Sequence, residues 1–174
     1  MNKMDGSPQD FTGKVVRPRL LKNTAPQRFI NVKIGQLGVE LWEYRDPNRE
    51  PFARLIIEGS SSEKRTEESA GPGEDDVDVE LDVWHATSLS TTIESWLAAL
   101  VHVPRTSRQP SLRAQIDLVF LTLHHPLKKG IAPNATVTLC NTSGQVGTVT
   151  LTDLEAGMLS NTLQAIHEDV QKAE

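Results

Sequence analysis

At 174 residues the chain is long enough for one domain with a real core, and with no run of about 18 apolar residues it offers no membrane-spanning helix. The start MNKMDGSPQDF lacks an apolar signal core, and the single Cys140 excludes an intramolecular disulfide, so a reducing interior, cytoplasmic or inside an assembled particle, is the expected setting. Net charge is −5, but it is divided: residues 1–28 hold Lys3, Lys14, Arg17, Arg19, Lys22 and Arg28 against Asp5 and Asp10, a net of +4, which leaves −5 − 4 = −9 on the remainder.

Residues 1–28 carry Gly6, Pro8, Gly13, Pro18 and Pro26 and no sustained hydrophobic period, the pattern of a basic arm that is extended or disordered when alone. From Phe29 the pattern is that of strands. Ile30, Val32 and Ile34 alternate with polar residues, Gly35 or Gly38 supplies a turn, and residues 37–58 read as a meander turning at Arg45-Asp46-Pro47-Asn48. Residues 59–76 are rich in Ser, Gly and acid and predict a mobile acidic loop between strands of one domain spanning 29–174. The next strand alternates Val77, Val79, Leu81 and Val83 with Asp78, Glu80, Asp82 and Trp84. Its acidic face is either solvated or a docking surface for a basic segment.

A helix is expected over Thr87–Val103, with Thr91 and Glu94 as a capping box and Ile93, Trp96, Leu97, Leu100 and Val101 as its apolar stripe. Leu112–His124 reads as one long central strand, and Ala135–Cys140 and Val146–Leu151 as a hairpin turning at Thr142-Ser143-Gly144. The clearest signal comes last. Strand alternation changes at Thr152 to a 3.6-residue period through Leu154, Met158, Leu159, Thr162, Leu163, Ile166 and Val170, and Thr152 with Glu155 forms a capping box.

The predicted fold class is therefore α+β, antiparallel sheet meanders with two amphipathic helices, in the order of four strands and a helix, then three strands and a helix. This suggests a duplicated unit on the order of the elements alone, with negligible identity between the halves. The architecture is similar to that of the Whirly and PUR-type single-strand-binding proteins. The basic strand motif of the Whirly proteins is missing and the sheet here is acidic, so the likeness carries no residue across.

Catalytic signatures are absent from the sequence: it contains no G-x-S-x-G, P-loop, G-x-G-x-x-G or H-E-x-x-H. His85, His102, His124, His125 and His167 lie at no metal-ligand spacing, and neither a metal nor a cofactor is expected. A Cys140 pair with His124 or His125 is the one nucleophile arrangement the order of residues leaves open. The leading expectation is a non-enzymatic protein–protein association module, a homo-oligomer or a subunit of a larger assembly such as a virus particle or bacterial complex, docking through its arm. The alternative is a single-stranded DNA or RNA binder using Lys14, Arg17, Arg19, Lys22 and Arg28 with a sheet face bearing Trp42 and Trp84. For those tryptophans the favoured reading is burial under the two helices as core, where large apolar side chains fit beneath two amphipathic helices.

Overall fold

A computed structural model describes residues 26–44, 46, 48–59, 76–108 and 110–171, the side chains of 26–28 and 167–171 apart. Two antiparallel four-stranded sheets each lead into a helix. The first holds β1 (Pro26–Ile34), β2 (Leu37–Tyr44), β3 (Phe52–Ile57) and β4 (Val77–Asp82), side by side in that order and followed by α1 (Val83–His102). The second holds β5 (Ser111–Ile116), β6 (Val119–His124), β7 (Asn134–Cys140) and β8 (Val146–Thr152), followed by α2 (Asp153–Gln171). This is the expected α+β class with antiparallel sheets. Residues 60–75, most of the loop expected between β3 and β4, and the arm up to residue 25 lie outside the described residues.

Strand pairing shows that the halves repeat in step, residue by residue. Phe29 pairs with Trp42, Trp42 with Phe52 and Phe52 with Asp82; in the second half Ser111 pairs with His124, His124 with Asn134 and Asn134 with Thr152. The first turns correspond too. Gly35, between the partners Ile34 and Leu37, has φ 59°, and Asp117, between Ile116 and Val119, has φ 52°. In both turns the position after the first partner adopts the left-handed region that a two-residue hairpin demands. Only the connection between third and fourth strands differs, long before β4 and short before β8.

The second turn corrects the single strand expected over Leu112–His124. Asp117 breaks it into a hairpin, aided by a hydrogen bond from the Gln115 amide to the Asp117 carbonyl (3.2 Å). No glycine or proline marks the break, and the apolar residues on either side conceal it. Aspartate is among the few side chains that enter the left-handed region routinely.

Strand alternation gives each sheet an inner apolar face. Ile34, Leu37, Val39, Leu41, Ala53, Leu55, Val79 and Leu81 join Val119, Leu121, Leu123, Ala135, Val137, Leu139 and Leu151 and the buried stripes of both helices in one hydrophobic core. The sheets meet closely where β4 faces β7 and β3 faces β8. Gly147 makes that approach feasible, since a Cβ there would stand 3.2 Å from the Ile57 side chain and 3.3 Å from that of Val77.

The helices pack on each other around Ser90 and Ser160, which are 70 residues apart and both buried. Their hydroxyls lie 2.8 Å apart, the Ser90 hydroxyl donates to the Ser160 carbonyl (3.1 Å), and the Ser160 hydroxyl reaches the Ser90 carbonyl (3.2 Å). Two hydroxyl protons serve these three contacts, so they exchange rather than coexist. The same spacing relates Asp82 to Thr152, the two N-caps, and Glu94 to Gln164, which are hydrogen-bonded to each other. A contact between equivalent positions lies on a two-fold axis, here an approximate one relating the halves of a single chain.

The duplication thus rests on register as well as order, and identity between the halves is not negligible where they enter the helices. Val79, Leu81, Ala86, Leu89, Ser90 and Thr92 recur as Val149, Leu151, Ala156, Leu159, Ser160 and Thr162. Thr92 and Thr162 even make the same hydrogen bond, to the carbonyl four residues back (2.8 Å in each case).

At the start of α2 the expected capping box is present. The Glu155 N–H donates to the Thr152 hydroxyl (3.1 Å), and the Thr152 N–H donates to the Glu155 carboxylate (2.9 Å). Helix α1 begins earlier than expected. Asp82 caps it, accepting from the His85 N–H (2.7 Å), while Thr91 and Glu94 lie in its middle. Pro104 stops it, and the Arg108 guanidinium caps its last carbonyls, those of Leu100 (2.5 Å) and Val103 (2.6 Å). The expected stripes are correct at Ile93, Trp96, Leu159, Leu163 and Ile166, which are buried, and wrong at Val101, Leu154 and Met158, which are exposed.

Gly35 also stands against the other half: a Cβ there would be 3.1 Å from the Glu155 carboxylate that completes the α2 cap. Gly35→Ala is therefore expected to cost about 1–2 kcal/mol, since the left-handed conformation alone costs an L-residue that much. A urea unfolding midpoint unchanged from wild type would contradict it.

Candidate functional site

Side chains that alternate away from the core form the outer face of each sheet, and the two faces differ in chemistry. Across the first sheet the pairing aligns three rows. Phe29, Trp42, Phe52 and Asp82 form one, Asn31, Glu40, Arg54 and Glu80 the next, and Lys33, Gly38, Ile56 and Asp78 the third. The first row is an aromatic strip that ends in a carboxylate. Phe29 and Trp42 have ring centroids 4.5 Å apart, Trp42 and Phe52 stack at 5.9 Å, and Tyr44 stacks on Phe52 at 6.3 Å. The strip is accessible from outside: Phe29 is 43% exposed and the other three are half-buried.

Acid surrounds this strip. Arg54 sits among Glu80 (2.7 Å), Glu40 (3.4 Å) and Asp78, whose carboxylate is 3.7 Å from Nε and too distant for a hydrogen bond. Burial pulls the Arg54 pKa down, but the hydrogen bond with Glu80 and the charges of Glu80, Glu40 and Asp78 outweigh it and raise the pKa, so the guanidinium stays charged. Lys33 pairs with Glu58 (3.4 Å). One arginine shared among three carboxylates leaves the face net negative, and Asp78 and Glu80 remain about half exposed. Beside the strip a shallow cleft is lined by Glu50, Phe52, Glu80, Asp82, His85 and, from the second half, Asp117. The aromatic surface already accommodates a cation, because the Arg49 guanidinium lies 4.0 Å from the centre of the Tyr44 ring.

On the second sheet the equivalent rows are almost uncharged. Thr122, Thr136, Thr138, Thr148, Thr150 and Thr152 dominate, with Arg113, Phe120, His124 and Asn134, and the Thr138 and Thr148 hydroxyls lie 3.0 Å apart. Two copies of one scaffold therefore carry unlike faces, one aromatic and acidic, the other rich in hydroxyls.

Of the residues singled out from sequence, Trp42 is on the aromatic strip, where its indole N–H donates to Glu40 (3.1 Å). Trp84 is not. It lies in α1 rather than on a strand and is 77% exposed, so it neither shares a face with Trp42 nor lies in the core, and Trp42 points away from the helices. The alternation through Val83 simply continues past the residue where strand pairing ends, which placed Trp84 on the wrong element. Arg28 pairs with Glu43 at the start of β1, its side chain outside the described residues, as are Lys14, Arg17, Arg19 and Lys22 altogether. The sequence pattern does not single out Phe29 and Phe52 as platform residues. Their alternation with the inward positions Ile30 and Ala53 was the available signal.

The nucleophile arrangement left open by sequence does not form. His125 is buried beside Trp96, with ring centroids 6.0 Å apart. His124 pairs with Asn134, six residues along β7 from Cys140. At ~3.3 Å per residue that is a separation of about 20 Å. Among the described residues no group of three or more His, Cys, Asp or Glu could hold a metal ion, and no helix is long and apolar enough to cross a membrane.

No family model matches the chain, and neither does any curated protein. Among solved structures the chain is similar to one from "Crystal structures of trypanosoma bruciei MRP1/MRP2", at a TM-score of 0.40 and 15% identity, over 86% of this chain and 90% of that one.

Proposed function

We propose that the chain is a non-enzymatic association module, a subunit of a larger assembly that joins its neighbours through the basic N-terminal arm. The observation that supports this reading most strongly is the outer face of the first sheet. It is aromatic, accessible and net negative, the complement of an arm whose net charge is +4. Aromatic rings flanked by carboxylates favour arginine and lysine, which gain a ring contact and an ion pair together.

Light scattering of the full chain at rising concentration is expected to give a mass at least twice the 19.2 kDa of the monomer, falling as salt screens the contact. A mass that stays at 19.2 kDa at high concentration overturns the reading.

The alternative, a single-strand DNA or RNA binder, keeps the arm as its phosphate contact but has lost the shared tryptophan face. Glu40, Asp78, Glu80 and Asp82 on the aromatic sheet would repel a nucleic-acid backbone. An oligonucleotide affinity that falls steeply with salt would favour that alternative.

A further inference from the structure

We infer that the aromatic, acidic outer face of the first sheet is the seat for residues 1–25 of a second copy of this chain, which exchange between subunits. This rests on the reading of the chain as an arm-docking module and adds the receiving surface to it.

Strand register places the two ends of the contact together. Pro26 pairs with Tyr44 at the end of the sheet where Phe29, Trp42 and Phe52 also lie, so the arm enters the fold beside the aromatic strip. Strand β1 is an edge strand that runs extended to the rim of the sheet at Pro26, so reaching its own outer face would require the chain to reverse direction there. That direction favours a neighbour's face over its own. Reach is ample: 25 residues span up to roughly 80 Å when extended, whereas the four strands of the face cover about 15 Å.

Spacing matches as well as charge. Asp78, Glu80 and Asp82 stand two residues apart on β4. On a strand that interval is about 7 Å from one to the next. Arg17 and Arg19 are also two apart, so in an extended arm their side chains fall at the same interval. Arg49 on the Tyr44 ring shows how a guanidinium lies on this surface. The hydroxyl-rich face of the second sheet offers neither carboxylates nor an aromatic strip, so the same arm has one seat per subunit.

Two full-length variants test this by complementation. Arg17→Glu with Arg19→Glu disables the arm, and Asp78→Lys disables the seat; Asp78 is about half exposed and makes only a long contact to Arg54, so the fold survives, as a circular dichroism melt checks. Each variant alone is expected to raise the dissociation constant of self-association at least tenfold. Mixed in equal amounts, they regain a two-chain species in native mass spectrometry, one chain giving its arm and the other its face. If the seat variant associates like wild type, this face is not the seat, although arm-mediated association stands. If the mixture stays monomeric while wild type associates, exchange between subunits is overturned. A monomeric wild type removes the association reading itself.

Discussion

Replacing Trp96 with alanine lowers the unfolding free energy by about 3–5 kcal/mol, the cost of deleting a large aromatic from a packed interior. Trp96 is 1% exposed and among the largest fully buried side chains, projecting from α1 against the buried His125 ring. Typical domains are stable by about 5–15 kcal/mol, so the variant sits near its unfolding threshold at ordinary temperature. Trp96→Phe behaves differently. The indole N–H of Trp96 has no hydrogen-bond partner among the described residues. Phenylalanine removes that cost while keeping most of the volume, so the loss stays within about 1.5 kcal/mol. Urea denaturation followed by circular dichroism measures both; an alanine variant within about 1 kcal/mol of wild type would show that Trp96 does not organise the core.

The second large effect is expected at the helix crossing. Ser90→Leu costs about 2–4 kcal/mol, about 1–3 from overpacking and about 1 from lost hydrogen bonds. The helices approach over small residues, Ser90 and Ser160 at the axis and Gly157 beside Leu97, where an added Cβ would stand 3.7 Å from the leucine methyl. The approximate two-fold axis makes a more specific demand: Ser160→Leu should cost nearly as much as Ser90→Leu. The double variant should differ from the sum of the two, since both side chains occupy the same space. A fivefold disparity between the single-variant free energies, or strict additivity, would contradict the symmetric crossing.

Legibility from sequence followed how local the signal was. Thr152 and Glu155 could be read as a capping box because both halves of the interaction lie within four residues. The β7–β8 hairpin was equally plain, with alternation on both sides of a turn-forming segment. What escaped depended on partners elsewhere in the chain. The turn at Asp117 is enforced by the pairing of β5 with β6, and nothing near it but one aspartate announces a left-handed residue. The sequence pattern sets the start of α1 too late because Val83 and Trp84 continue the alternation of β4, and only the capping contact at Asp82 reveals where the strand ends. The aromatic strip likewise comes from three strands whose register no single stretch specifies. The repeat of Leu-Ser-x-Thr at 89–92 and 159–162 was visible in the letters, but the unequal connections before β4 and β8 put the two copies out of step along the rest of the chain.

That the halves meet across an axis inside one polypeptide has a further consequence. In a dimer of identical chains every substitution is made twice, so a carboxylate that suits one face is imposed on the other as well. Here each half is encoded separately and the tether keeps the partners at high local concentration without relying on abundance. Glu80 could thus arise opposite Thr150, and Trp42 opposite His124, with no matching change in the other half. The covalent link turns a symmetric scaffold into one with a distinguishable front and back.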